Sequence, residues 1–322
     1  MTREIGGYLE LEHATGKEYY SDLFRLNLGR TSLMWLIRVL DCRRIFIPRY
    51  ICESVILSAR RTDCEVLLYA IDEDLQPLLD PRELSDDGDW LYVSNYYGQL
   101  SDDDIRGLHR TYHGRIIVDH AQSFYQKPID DITCLYTSRK FFGLSDGAYV
   151  YAPSAGSTDT ADLPLDRSAG RMAHILGRLE DSAREHYSEM LEVNHTFDDA
   201  PVARMSLLTE NLLRSIDYEF VRRKRAENYE VLRQLLPSDN PFTRRTPSAP
   251  FAYPFYHPDG IRLRKALAAE NIFVPTNWSY LLYQLPQDSL EWDWSANILP
   301  LPIDQRYGPE EMGIIADTIK KY

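Results

Sequence analysis

The sequence predicts an α/β protein built on a mainly parallel sheet, and two observations carry that prediction. Short apolar runs rich in β-branched and aromatic residues alternate with helical or loop segments through the first half of the chain. One of them, Arg115 to Asp119 (R-I-I-V-D), is as apolar at its centre as a strand buried on both faces of a sheet. It ends in a carboxylate, which such a strand delivers to the carboxyl edge of the sheet, where ligands of α/β proteins gather.

Length and composition allow one large domain or two ordinary ones. The chain has 322 residues, of which 44% are hydrophobic and 12% aromatic. Its 36 Lys and Arg residues against 49 Asp and Glu residues give a net charge of −13. This charge repels nucleic-acid backbones and anionic lipid headgroups, so neither nucleic acid nor a membrane is expected as a partner.

Cysteine usage and the N-terminus predict a cytoplasmic protein. The four cysteines lack the spacing of a zinc site or a disulfide framework, so we expect reduced thiols and no bound metal. The first twelve residues carry acids where a signal peptide needs an apolar core, and no run approaches the length of a membrane span.

The first half of the chain predicts the large sheet. Residues 1–20 are expected to form an extended arm. A short strand, the glycine Gly29 and a helix from about Thr31 follow, because Leu33, Leu36 and Ile37 recur on one helical face. The further elements predicted in this half are strands at Arg44–Pro48, Glu65–Ala70, Trp90–Ser94, Arg115–Asp119, Ile132–Tyr136 and Ala148–Tyr151, and helices at Ser54–Arg61 and Asp102–His113.

The second half predicts long helices and a smaller α+β unit. A polar loop is expected over residues 154–166, and the cluster Arg222–Arg225 is interpreted as a solvated helix face because acids flank it. We expect a large domain over residues 1–225 and a small one over 226–322. The elements predicted here are helices at Arg167–Met190 (with Leu176, Leu179 and Ala183 on one side), Ser206–Leu236, Gly260–Glu270 and Pro309–Lys321, and strands at Phe251–Phe255 and Ile272–Pro275.

An amine and a carboxylate are offered by consecutive strand ends. Asp119 follows one buried strand, and Lys140 lies between small hydroxyl residues and a turn containing Gly143 and Gly147. Pyridoxal phosphate (PLP) needs such a pair, because a lysine holds it covalently while an aspartate keeps its pyridine nitrogen protonated. A plain salt bridge between two unrelated side chains is the alternative, and Gln122 and the D-G turn after the lysine favour the cofactor site.

The order of these segments resembles the DegT/StrS sugar aminotransferase family of fold type I PLP enzymes over almost the whole chain. A shorter branch of that family, linked to surface polysaccharide, shares further motifs. The motifs that carry the resemblance are F-I-P-R-Y (46–50), Y-Y-G-Q (96–99), V-D-H-A-Q (118–122), A-R-M-S (203–206) and L-P-L-P (299–302), and for the shorter branch I-G-G-Y (5–8), R-K-F-F-G (139–143) and P-I-D-Q-R-Y (302–307).

The resemblance implies a fold and a site. The fold is the three-layer, aspartate aminotransferase-like large domain of PLP transferases with a mainly parallel sheet, followed by a smaller α+β C-terminal domain. Lys140 would hold the cofactor and shuttle the proton, Asp119 would pair with the pyridine nitrogen, and Gln122 would touch the ring hydroxyl. The residues that would bind the phosphate are Gly29, Arg30, Thr31 and Thr137.

Three positions depart from the family pattern. Leu28 stands where the phosphate turn has serine, Cys52 where an aromatic residue stacks on the cofactor ring, and Val202 where a partner subunit's asparagine reaches the phosphate. Tyr50 or Tyr96 could replace the stacking residue, and Arg30 or Arg139 could supply phosphate affinity. His120 could cover the ring or serve a structural role.

By resemblance, the reaction is the transfer of an amino group from glutamate to a nucleotide-linked keto sugar by a homodimeric, PLP-dependent enzyme. A sugar dehydratase of the same fold is the first alternative, but it carries histidine where this chain has Lys140. The second is a catalytically degenerate protein that acts as a binding or regulatory module in polysaccharide assembly, as the three departures suggest. A cofactor-free α/β protein is the third.

Overall fold

The computed structural model describes residues 5–155 and 160–322, and its architecture is α/β as the sequence predicts. Residues 1–4 of the predicted arm and 156–159 of the predicted polar loop lie outside the described residues. Within the described part of the chain, no helix is both long and apolar enough to cross a membrane.

An eight-stranded, mostly parallel sheet organises the first half of the chain. Its strands are β1 (Phe24–Leu26), β2 (Arg44–Pro48), β3 (Glu65–Ile71), β4 (Pro77–Leu78), β5 (Asp89–Ser94), β6 (Ile116–Asp119), β7 (Thr133–Thr137) and β8 (Ala148–Tyr151). They lie in the order β1-β8-β7-β6-β5-β2-β3-β4. Five neighbouring strands, β7, β6, β5, β2 and β3, pair in parallel. The strands at the two ends of the sheet, β4 at one end and β8 and β1 at the other, pair antiparallel with their neighbours. The carboxyl ends of β6 and β7 therefore meet at one edge.

Both faces of this sheet are covered, which gives the three layers that the sequence predicts. Ile116 and Val118 pack into one hydrophobic cluster, while Ile117 between them packs into another. This alternation explains the uniformly apolar run, since a strand covered on both sides has no solvent face. The helices α1 (Gly29–Val39), α2 (Glu53–Arg60) and α3 (Asp102–Thr111) follow their strands, and α1 buries Leu33, Leu36 and Ile37.

The prediction of one helix over Arg167–Met190 is wrong, because the chain forms two helices there, α4 (Ala173–Glu180) and α5 (Tyr187–Thr196). The chain turns back after α4, and His186 packs so closely on Gly177 that a Cβ there would overlap the imidazole ring. Leu176 and Leu179, which the sequence places on one side of a helix, are 56% and 86% exposed, and α4 and α5 bury no residue in this chain.

The prediction of a single helix over Ser206–Leu236 is also wrong, because the chain forms two helices there, α6 (Leu207–Leu213) and α7 (Tyr218–Leu235). Asp217 restarts the helix by accepting a hydrogen bond from the Phe220 amide at 2.9 Å, as an N-cap residue does. The break changes the helical register, so that Leu207 and Phe220 are exposed while Leu213 and Val221 are buried.

The arginine cluster on α7 is not a uniformly solvated face as expected. Arg225 is only 2% exposed, and its guanidinium donates to the main-chain oxygens of Pro250, Phe251 and Phe141 at 3.2, 3.0 and 3.3 Å. The guanidinium carbon also lies 4.6 Å from the centroid of the Phe141 ring. Arg225 thus ties the segment after Lys140 to the C-terminal part of the chain.

The C-terminal part mixes helices with a two-stranded antiparallel sheet. It contains β9 (Tyr253–Tyr256), α8 (Gly260–Ala269), α9 (Leu281–Gln284), α10 (Leu290–Asn297), β10 (Ile298–Leu301) and α11 (Pro309–Ile319). Residues of α7, α8 and α11 share their own hydrophobic cluster, which extends from Tyr229 to Ile319. The strand expected at Ile272–Pro275 is wrong, because Asn271, at φ +61°, ends α8 and the next residues pair with no strand. The boundary between residues 1–225 and 226–322 stays a prediction.

Candidate active site

The carboxylate at the end of β6 lies in a buried site that the charge of the lysine amine reaches. Asp119 is 7% exposed, and its Oδ1 accepts a hydrogen bond from the Ala121 amide at 2.8 Å. Burial raises the pKa of Asp119, while the charge of Lys140 and hydrogen bonds from the Ala121 amide and the Tyr92 hydroxyl lower it. The two side chains that the sequence paired are therefore close enough to interact electrostatically.

The lysine amine itself is free. Lys140 follows β7 on an exposed part of the turn, and its Nζ lies 5.6 Å from the centroid of the Phe251 ring. Among the described residues, no hydrogen bond or ion pair engages this amine. An accessible primary amine beside a buried carboxylate can form a covalent bond with an aldehyde.

The turn that carries Lys140 is fixed at both ends. The amide and hydroxyl of Ser138 both donate to the Gly147 oxygen, at 3.1 and 3.0 Å. Gly147 has φ +119°, a conformation that residues with a Cβ rarely adopt. Asp146 accepts hydrogen bonds from the Ser206 amide and hydroxyl, each at 2.8 Å, and from the Thr209 hydroxyl. The turn is thereby anchored to α6.

Gln122 lies on the same edge and is held through one end of its amide. Its Oε1 accepts a hydrogen bond from the Tyr97 main-chain amide at 2.8 Å, and the residue is 5% exposed. Tyr97 is itself in the left-handed region, at φ +50°. The Nε2 group of Gln122 donates to no described residue, so it can donate to a ligand.

His120 has a structural role, which was one of the two expected alternatives. Its ring stacks on that of Tyr136 with centroids 4.9 Å apart and an interplanar angle of 11°. Its Nδ1 is 2.8 Å from the Ser123 hydroxyl, and burial lowers the pKa of His120 to about 3. The imidazole is therefore neutral near pH 7, and both its ring face and its Nδ1 atom already have partners.

The start of α1 lies against the end of β7. A Cβ added to Gly29 would lie 3.8 Å from the Thr137 Cβ, so the predicted phosphate turn and Thr137 are neighbours. The first turn of α1 contains no acid, and no described group accepts from the amides of Gly29, Arg30 or Thr31. Free amides at a helix N-terminus suit a phosphate.

Two side chains of this turn are already engaged. The Thr31 hydroxyl donates to Asn27 Oδ1 at 2.6 Å and accepts from the Leu28 amide at 3.2 Å, so it shapes the turn. Arg30 Nη1 lies 2.6 Å from the carboxylate of Asp198. No described group accepts from the main-chain amides of Arg30 and Thr31, so these amides are left for a ligand.

The surroundings of Cys52 combine the two tyrosines that the sequence offers as replacements for the stacking residue with two residues, Trp278 and Tyr280, that the sequence analysis did not identify. Tyr50 and Tyr96 are at most 2% exposed, and both lie in an aromatic cluster with Trp278. The Tyr280 hydroxyl lies 3.1 and 3.0 Å from the main-chain oxygens of Arg49 and Ile51, next to Cys52. Trp278 and Tyr280 are more than 200 residues away in sequence, and no local spacing connects them to this turn.

Comparison with known proteins supports the fold. No family model matches the chain, and no curated protein matches it. Several solved structures are similar to this chain over more than nine tenths of its length. A DegT/DnrJ/EryC1/StrS aminotransferase from Brucella abortus is 13% identical, with a TM-score of 0.62 over 93% of this chain and 85% of that chain.

Two further neighbours were solved with relevant ligands. DesI, solved in the presence of its TDP-sugar product, is 12% identical, with a TM-score of 0.61 over 92% of this chain and 79% of its own. A protein of Streptococcus pneumoniae described as a sugar aminotransferase, in its PLP form, is 11% identical, with a TM-score of 0.60 over 92% and 86%. At these identities the likeness establishes the fold. The chain therefore has the fold of the DegT/StrS sugar aminotransferases, as its sequence resemblance predicts.

Proposed function

We propose that this protein is a PLP-dependent aminotransferase that acts on a nucleotide-linked keto sugar. The observation that carries the proposal is the exposed amine of Lys140, whose charge acts on the buried carboxylate of Asp119, at an edge where a helix N-terminus also presents amides without a described partner. A PLP form among the structural neighbours supports the same cofactor. The donor set fits PLP, because it offers a nucleophilic amine, an acid for the pyridine nitrogen and a phosphate turn.

Each residue has a definite task in this proposal. Lys140 would hold the cofactor covalently through Nζ and, once released, move a proton between the substrate carbon and the cofactor. Asp119 would keep the pyridine nitrogen protonated, and when bound the ring supplies the electron sink that amino transfer needs. Gln122 Nε2 would donate to the ring hydroxyl. Gly29, Arg30 and Thr31 would contribute main-chain amides to the phosphate, and Thr137 its hydroxyl.

The finer parts of the proposal come from the resemblance and one neighbour. DesI has a TDP-sugar product, which supports a nucleotide-linked sugar as the amino acceptor. Glutamate is the proposed amino donor, and a cytoplasmic homodimer linked to surface polysaccharide or amino-sugar biosynthesis is the proposed setting. Nucleic acid and membranes remain excluded as proposed partners on charge grounds.

A catalytically degenerate binding or regulatory module is the second candidate, and two departures from the family pattern favour it. Leu28 precedes α1 without any side-chain oxygen to cap the helix, and Val202 packs with a hydrophobic cluster rather than offering an amide to a phosphate. Both changes would weaken phosphate binding. Retention of the cofactor without any reaction with an amino donor would identify this second function.

Reconstitution of the apo protein with PLP tests the proposal. The wild type should develop the visible absorption of covalently bound PLP, Lys140→Ala should not, and Lys265→Ala, which removes an exposed lysine of α8, should match the wild type. Glutamate should then bleach this absorption in the wild type. Equal absorption in the wild type and Lys140→Ala would contradict the enzymatic proposal, and absorption that no amino donor bleaches would favour the binding module.

A further inference from the structure

Cationic side chains gather next to the proposed phosphate turn. The guanidinium carbons of Arg139 and Arg171 lie 4.2 and 5.6 Å from the centroid of the Phe197 ring. Arg30 approaches from α1, and His174 from α4. Burial, together with the charges of Arg30 and Arg171, lowers the pKa of Arg139 to about 10, against the opposing effect of Asp146. These side chains form what we call the Arg139 pocket.

The nearby acids do not neutralise Arg139. Asp198 pairs with Arg30 at 2.6 Å, and Asp166 pairs with Arg171 at 2.8 Å. Asp146 already accepts three hydrogen bonds from Ser206 and Thr209. Arg139 makes one hydrogen bond to a neutral group, the Asn194 side-chain oxygen at 3.2 Å, and has no carboxylate partner among the described residues.

Several donors of the pocket have no partner. The Nε atoms of Arg139 and Arg171 and the Nδ1 atom of His174 are all enclosed, and no described group forms a hydrogen bond with them. The enclosed Nε of Arg139 is costly, because its lost hydration is replaced neither by a hydrogen-bond acceptor nor by an opposite charge. An anion that binds to Arg139 would supply the missing negative charge and hydrogen-bond acceptor.

Phosphate is the anion that the surroundings fit best. Arg139 follows Thr137 by two residues, and Thr137 lies against Gly29 at the start of α1. A tetrahedral anion at this place could accept from the free amides of α1 on one side and from a planar guanidinium fork on the other. Arg30 is already paired with a carboxylate, that of Asp198, through Nη1, whereas Arg139 is not.

We infer that Arg139 is the side chain that neutralises the cofactor's 5′-phosphate in this chain, in place of the serine and asparagine that Leu28 and Val202 replace. This inference rests on the proposed function, since it assigns the phosphate of the same cofactor. It makes Arg139 a binding residue that adjoins Lys140 in sequence, so one small molecule would engage both.

A comparison of PLP with pyridoxal, which lacks the phosphate, tests the inference. Wild-type protein should bind PLP more tightly than pyridoxal, as followed by the visible absorption of the bound form. Arg139→Met keeps the packing of the side-chain stem on Phe197 and should reduce that preference by about 10- to 100-fold, the contribution of charge-assisted hydrogen bonds. Pyridoxal binding should not change, which shows that Lys140 remains reactive.

Two further variants sharpen the comparison. Arg139→Lys should recover part of the preference, because it keeps the charge but loses the planar fork. Arg178→Met removes an exposed arginine of α4 and should behave as the wild type. If Arg139→Met retains the full preference for PLP, the inference is overturned while the proposed function stands.

Inorganic phosphate provides a readout that does not depend on the cofactor. Phosphate should raise the melting temperature of the apo protein, and Arg139→Met should abolish this rise. If the wild type binds neither PLP nor pyridoxal, the proposed function fails, but phosphate protection that Arg139→Met removes would still support an anion pocket here. The assignment would be overturned if phosphate does not raise the melting temperature of the wild type. It would also be overturned if Arg139→Met weakens the binding of a nucleoside diphosphate but leaves PLP binding unchanged.

Discussion

Replacement of Arg225 by methionine should destabilise the protein far more than replacement of its neighbour Arg222. Methionine fills much of the space but leaves the oxygens of Pro250 and Phe251 without any described donor. The oxygen of Phe141 keeps a donor, because Gln305 Nε2 also binds it at 2.9 Å. Two acceptors left unsatisfied, one buried and one part-buried, would cost about 1–3 kcal/mol each. Removal of a buried positive charge offsets part of this cost, so we expect a loss of about 2–4 kcal/mol in the free energy of unfolding.

Urea unfolding monitored by circular dichroism measures this difference. Arg222 is partly exposed, and Glu219 on the same helix is the one carboxylate it pairs with among the described residues, so Arg222→Met should cost less than about 1 kcal/mol. Arg225→Lys should fall between the two, since it keeps the charge but cannot reach all the oxygens. Equal destabilisation by the Arg222 and Arg225 substitutions would refute the view that Arg225 is a buried tie between the Lys140 segment and the C-terminal part.

Three further predictions follow from single residues. Burial lowers the pKa of His120 from 6.5 to about 3, so between these pH values the unfolded chain binds a proton that the folded chain does not. The free energy of unfolding should therefore fall on acidification by up to about 1.4 kcal/mol per pH unit. Urea midpoints measured across this range should depend less on pH in His120→Asn than in the wild type. Cys52 is the one half-exposed cysteine and the other three are buried, so Ellman's reagent should modify one thiol quickly in the folded protein and none quickly in Cys52→Ser. Gly147→Ala should lower the melting temperature sharply, because φ is +119° and the new methyl group would collide with the Ser138 hydroxyl, at a cost of about 2 kcal/mol or more. Gly107→Ala, at an open position inside α3, should instead raise the melting temperature.

The sheet was predictable because its strands are defined by local pattern. The runs ending in Asp119 and Thr137 are apolar on both faces, and their order along the chain implies parallel strands that share a carboxyl edge. That edge also located Asp119 and Lys140 as candidates without any knowledge of the packing. Side chains at the ends of neighbouring parallel strands meet because of the topology alone.

The helices after residue 160 were less predictable, because tertiary contacts override their periodicity. Leu179 shows core spacing in sequence yet is exposed, since α4 turns back towards α5 instead of lying on the sheet. The charge cluster on α7 likewise gave no sign that Arg225 is buried, because its partners, Phe141 and Phe251, are distant in sequence. Contacts between distant segments leave no local spacing to read.

Borohydride reduction of the PLP-treated protein, followed by peptide mass spectrometry, tests the central claim most directly. The account predicts one pyridoxyl group per chain, attached to the peptide that contains Lys140, and markedly less labelling when Asp119 is replaced by asparagine. A label spread over several exposed lysines, or centred on any lysine other than Lys140, would contradict it.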